Sequence, residues 1–174
     1  MKIYRNMNGF TLIEIIAILV ILMIITAVTI TQITSSQNNL IAATDTLTSH
    51  LRLAQARAMN TDAPNVTIFS SWGVNFSSST QYYLFNCANA IGCTPATNQK
   101  SFPGGGNIIM DLAKQGVQVT NGALILAFDR FGTPYNDAAL ATPLAAQLTL
   151  TLKDNNGNTR TINITPQTGM ITKG

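Results

Sequence analysis

The chain has 174 residues with a formal net charge of +3, and only 10% of its residues are charged against 46% that are hydrophobic. That length suits one modest domain plus a short extra segment and excludes two full cores. Its Lys and Arg residues are scattered, which argues against the clustered basic face of a strong nucleic-acid binder.

In chain order, the first feature is an apolar run from Phe10 to Ile30 whose one charge is Glu14. It is about long enough to cross a bilayer as a helix, which takes roughly 20 residues at ~1.5 Å each. Lys2 and Arg5 precede it, and after Glu14 no charge follows until Asp45. That asymmetry predicts a single-pass topology, with the N-terminus in the cytoplasm and the rest outside the inner membrane. A secretory signal peptide would put a small-residue cleavage site after the run; Ile24 to Gln32 holds no such pattern. Glu14 is the costly residue, because a carboxylate in hydrocarbon needs compensation. It reads either as a tolerated carboxylate of a signal anchor, snorkelling to the membrane edge, or as a functional group.

From Thr31 to Asn60 the helical pattern continues. Leu40, Leu47, Leu51, Ala54 and Ala58 recur at one-face spacing, with small Thr44 filling the missing step. Arg52 and Arg57 fall off that stripe, and Pro64 ends the helix. The sequence therefore predicts one helix from Phe10 to about Asn60, apolar all round in its first half and amphipathic in its second.

Beyond Pro64 the period becomes two. The segments 66–69, 81–85, 116–120, 123–128, 147–152 and 160–164 read as strands, rich in β-branched and aromatic residues. Thr149, Thr151, Asn163 and Thr165 alternate with apolar residues, which predicts one wet sheet face. Asp154 to Asn158 and Asn121-Gly122 are turn signals. The fold class is α+β: a long N-terminal helix packed against a mostly antiparallel sheet domain. Ser70, Ser71 and Ser77 to Ser79 read as loop residues, and Gly104 to Gly106 as a turn without a phosphate-binding context.

Cys87 and Cys93 lie close together in a polar loop. Outside the cytoplasm such a pair is most simply a disulfide. The metal reading needs more ligands, and the single His, His50, reads as an exposed or packing residue on the helix. No paired carboxylates, nucleophile elbow or calcium loop is present. The expectation is thus no enzyme, no metal and no cofactor.

Gly9-Phe10-Thr11-Leu12-Ile13-Glu14, behind a basic leader and ahead of the apolar run, resembles the type IV prepilin processing motif. The resemblance implies cleavage between Gly9 and Phe10 by prepilin peptidase, N-methylation of Phe10, and Glu14 as an assembly residue at the fifth mature position. The implied organisation is a leader over 1–9, a transmembrane and filament-core helix over 10–31, its amphipathic half over 32–62, and a periplasmic β-rich domain over 63–174. The segment Leu51 to Asn60 followed by Val66-Thr67-Ile68, the turn Phe128 to Pro134, and the terminal hairpin ending Ile162 to Ile171 resemble GspH/FimT-type minor pilins and pseudopilins. Type IV pilins usually carry a Pro low in the helix; this run has none, a departure from major pilins. Tyr83 to Gly106 matches no pattern of that family.

The resemblance implies a structural subunit of a type IV pilus or a type II secretion filament, with other pilin or pseudopilin subunits as partners. Two alternatives stand beside it. One is a DNA-capturing minor pilin, for which Lys153, Arg160 and Lys173 are the sparse cations near the C-terminus, so that no nucleic-acid partner is expected. The other is an unprocessed, membrane-anchored binding module.

Overall fold

A computed structural model describes residues 11–61, 70–103 and 108–174, with backbone alone over 27–34. The strand read at 66–69 and the glycine turn at 104–106 lie outside the described residues. The chain divides into two compact units, 1–35 and 36–174.

Helix α1 runs Leu12–Met59. The strands are β1 (Ser71–Phe76), β2 (Gln81–Cys87), β3 (Gln99–Lys100), β4 (Ile109–Asp111), β5 (Val117–Val119), β6 (Leu124–Phe128), β7 (Pro134–Tyr135), β8 (Leu148–Asp154), β9 (Thr159–Ile164) and β10 (Ile171–Lys173). One sheet has the order β3-β2-β1-β6-β7, with β4 also on β2; the other has the order β10-β9-β8-β5. All pairings between named strands are antiparallel. The α+β architecture is the one expected from the change of period.

The stripe read from spacing is the one that packs. Leu40, Thr44, Leu47, Leu51, Ala54 and Ala58 are buried, together with Val74, Phe76, Leu84 and Leu126 of the first sheet and Leu150, Leu152, Ile162 and Ile164 of the second. Apolar burial at ~25 cal/mol per Å² is the main favourable contribution. Thr44 and Thr48 are buried without penalty, because their hydroxyls donate to the carbonyls of Leu40 and Thr44, each at 2.7 Å. The wet face is present on the second sheet, where Thr149 Oγ1 donates to Asn163 Oδ1 across β8 and β9 at 2.9 Å.

Strand β1 corrects the loop reading of Ser71. Its side chain is buried and donates to the Ala138 carbonyl at 2.8 Å. The strand is central, paired with β2 on one side and β6 on the other. Gly73 stands where the Phe85 ring crosses it; a Cβ there would lie 2.6 Å from Phe85 Cζ. The Asn121-Gly122 turn is present with Gly122 at φ 73°, and it joins strands of different sheets rather than the two arms of a hairpin.

The first sheet is covered on both sides. Away from the helix, Tyr83, Phe85, Cys87, Ala127 and Ala138 form a second small core, packed with Cys93, Ile125, Tyr135 and Leu140. Cys87 and Cys93 form the expected disulfide, Cα–Cα 5.9 Å apart, within the usual range for such bridges. The bridge pins the 88–92 turn and completes that core.

His50 is a packing residue. It is half-buried, its ring stacks on Phe102 at 3.8 Å between centroids, and Nδ1 lies 3.0 Å from the Tyr82 hydroxyl. Burial holds its imidazole well down, to about 4 from 6.5, and burial pushes the Tyr82 phenol up. Asp154 is buried at the mouth of the β8–β9 turn. Burial pushes its carboxyl up, but donors from the Asn158 side chain, Ser36, and the backbone of Asn158 and Asn156 together outweigh that and hold it below its ordinary value.

Two outcomes are expected. Acid should destabilise the domain in two stages. The unfolded chain binds a proton on His50 near pH 6.5, whereas the folded chain resists it until about pH 4. Stability is therefore full above that window and falls as pH drops through it. The Asp154 contribution, present above its unfolded value of 3.8, is lost as pH falls further. Urea midpoints between pH 7 and pH 4 should show the first stage, and His50→Gln should flatten it. The disulfide should resist thiol labelling without reductant, and the double substitution Cys87→Ser, Cys93→Ser should cost about 2–3 kcal/mol, as expected for so short a loop. Two freely labelled thiols in unreduced protein would overturn the pairing.

Candidate functional site

The candidate site is the start of α1, where the sequence places Gly9, Phe10 and Glu14. Gly9 and Phe10 lie outside the described residues. Thr11 is the first residue described, and it caps the helix. The Glu14 backbone N–H reaches the Thr11 carbonyl at 3.1 Å and Thr11 Oγ1 at 3.4 Å, and the Ile15 N–H reaches the Thr11 carbonyl at 3.3 Å. Threonine at the cap with glutamate three residues on has the capping-box spacing; the bond formed is the threonine half, which satisfies an N–H that the first turn leaves open. A carboxylate in that turn also opposes the positive end of the helix dipole. The Thr-x-x-Glu pattern ahead of an apolar run is the sequence signal for this, and the reading of Glu14 as a snorkelling or assembly group passed over it.

Apart from Thr11 and Glu14, the helix around this turn offers water mainly hydrocarbon. Leu12 and Ile13 are more than three-quarters exposed, and Ile15, Ile16, Ile18, Leu19, Val20, Ile21, Leu22, Met23, Ile24 and Ile25 are exposed on every side of the helix. So much contiguous apolar surface marks a segment with an apolar partner. Among the described residues, no helix is long and apolar enough to cross a membrane. Among the described residues, no cation pairs with Glu14; the one ion pair there joins Lys173 to Asp45 at 2.8 Å.

The other residues read from the sequence belong to the 36–174 unit. Cys87 and Cys93 belong to the outer core of the first sheet. The three C-terminal cations do not converge. Lys173 is taken by Asp45, Lys153 is exposed at a wet-face position of β8, and Arg160 is half-buried in a groove beside the helix. Among the described residues, no group of His, Cys, Asp and Glu is placed to hold a metal ion.

A further convergence went unread. The Gln55 side-chain amide donates to the carbonyls of Gly132 and Gly169, each at 3.1 Å, and to that of Thr168 at 3.3 Å. Both glycines sit in left-handed backbone, at φ 79° and 62°. Two turns more than 30 residues apart in sequence are thus tied to one position of the helix. A lone Gln gives no sequence signal for that.

No curated protein and no solved structure matches the chain. Residues 4–30 match the family model of the prokaryotic N-terminal methylation motif. The matched segment holds Gly9, Phe10, the Thr11–Glu14 cap and the apolar run, and it supports a type IV pilin-like protein.

Proposed function

We propose that this chain is a structural subunit, a minor pilin or pseudopilin, of a type IV pilus or a type II secretion filament. The observation that carries the reading is the methylation-motif match over 4–30. In this reading prepilin peptidase cuts after Gly9 and Phe10 is N-methylated. The apolar helix waits in the inner membrane, with the C-terminal domain in the periplasm, and then moves into a filament core among other subunits. The all-round apolar surface of α1 near its start suits both settings, because lipid and packed helices each cover every side. The role is structural rather than catalytic.

The finer assignment is the GspH/FimT type. The three stretches that resemble that group are the helix segment 51–60, the turn at Phe128–Pro134 and the terminal hairpin. They meet at Gln55, Gly132 and Gly169, which supports reading them as one device rather than three loose matches.

Glu14 has a further task in this reading. Cleavage at Gly9 leaves an α-amine on Phe10, within about a turn of Glu14. An amine from the same or a neighbouring subunit neutralises the carboxylate, and leaving either charge alone in a low-dielectric core costs several kcal/mol. The pair would set the axial register of each incoming helix.

Mass spectrometry of the membrane fraction should therefore find a chain beginning at Phe10 with a methylated amine. A mature chain that keeps Met1, or begins after Ile30, overturns the reading. Substitutions at Glu14 separate its two tasks, since a capping box accepts Gln as well as Glu. Glu14→Gln and Glu14→Ala should both insert and be cleaved, and both should enter co-isolated filaments at least tenfold less than wild type, the scale set by ~1.4 kcal/mol per tenfold. Should Glu14→Gln incorporate normally while Glu14→Ala fails, the cap is the function and the charge is not.

A further inference from the structure

At the turn end of the β8–β9 hairpin a groove of about 310 Å³ is lined by Gln37, Leu40, Ile41, Asn158, Thr159 and Arg160. Arg160 is half-buried there. An arginine keeps its charge at any pH the protein meets, and its planar fork is matched to an anion such as a carboxylate. Among the described residues, none supplies it: the ion pair formed there is Lys173 with Asp45. The hairpin's own carboxylate, Asp154, is committed to the Ser36 hydroxyl, the Asn158 side chain and the backbone N–H groups of Asn156 and Asn158.

We propose that this groove docks an acidic side chain of a partner subunit. The lining fits that ligand in each part. Arg160 offers a forked donor matched to a carboxylate. The exposed edge of Ile41, 38% accessible, offers an apolar wall for the methylene stem. Gln37, Asn158 and Thr159 offer amides and a hydroxyl for the flanking backbone. A nucleic-acid strand fits less well, because phosphate tracking needs several cations along one path. Here Lys173 is already paired, and Lys153 faces the opposite side of the second sheet from Arg160. The proposal rests on the filament reading for the identity of the partner as a subunit, but the chemistry of the groove stands apart from processing at Gly9.

The test is a chemical-shift titration of the full chain in detergent micelles with acetyl-Ala-Glu-Ala-Glu-Ala-amide, its Gln counterpart, and a short oligothymidylate. The Glu peptide should produce saturable shifts at Gln37, Ile41, Asn158, Thr159 and the Arg160 side chain, weakened by salt. Arg160→Gln should weaken binding at least tenfold, and Arg160→Lys, which keeps the charge and loses the fork, should restore only part of it, with unchanged thermal melting of both variants showing an intact fold. Equal binding of the Gln peptide, indifference to Arg160→Gln, or no saturable shift at these residues overturns the proposal. Tighter, Arg160-dependent binding of the oligothymidylate assigns the groove to phosphate instead and also overturns it. None of these outcomes touches the Phe10 mass or the Glu14 incorporation result, so failure here and failure of the filament reading are told apart.

Discussion

Both sheets of the 36–174 unit bury their inner faces against one surface, the stripe of α1 from Leu40 to Ala58. Neither sheet has another apolar partner of that extent, so the rotational setting of the helix fixes the position of both. A slip of one residue would turn the stripe by roughly 100°. It would bring Arg52 and Asp45 toward the core and lift Leu47 and Leu51 out of it. Small Ala54 and Ala58 and larger Leu47 and Leu51 are all fully buried in this stripe. At the end of the stripe, hydrogen bonding takes over from packing. Gln55 holds the two glycine turns, and Arg52 donates to the Ile171 carbonyl at 2.9 Å. From Leu40 to Ala58 the helix is thus bound by apolar contact, and by directed polar contact where strands give way to turns.

What the sequence made legible follows from which signals are local. The helix, its buried stripe, and strands β2, β5, β6, β8 and β9 all carry their own periodicity, and each forms close to where the pattern puts it. β1 does not carry one. Ser71-Trp72-Gly73-Val74-Asn75-Phe76 has a glycine at its middle and a serine at its head, poor strand formers in isolation. It is a strand because β2 and β6 pair with it from both sides and because the Phe85 ring needs the space that Gly73 leaves. β3, β7 and β10 are two or three residues long, and pairing rather than propensity makes them strands. The disulfide was legible as a pair from spacing and compartment. Its place as a wall of an outer core was not, since that depends on the 135–140 segment folding over the sheet.

At the candidate site the sequence announced the residue and concealed its local bonding. Glu14 stands out as a charge within hydrocarbon, and the motif around it is visible by inspection. Thr11 was read as part of that motif and not as a cap, although the distances make it both. A capping glutamate and an assembly glutamate are compatible. The Thr11 cap engages the Glu14 N–H at the helix start and leaves the Glu14 carboxylate open for charge pairing.

The disposition of the other acids bears on which need is unmet. Asp45 pairs with Lys173. Asp111 accepts from the Ala113 N–H, Asp129 from Phe131 and Thr133, Asp137 from Ala141 and Thr142, and Asp154 from its turn and Ser36. Each of these carboxylates is satisfied where it stands, most of them by the backbone of a turn. Among the described residues, Glu14 is the acid whose carboxylate has no bonded partner, and it is the one set in a largely apolar surface, where an unpaired charge is most costly once water is gone. In water that state is harmless. In a membrane or a helical core it is not, and the filament reading proposed above supplies the cation as the Phe10 amine that cleavage would create.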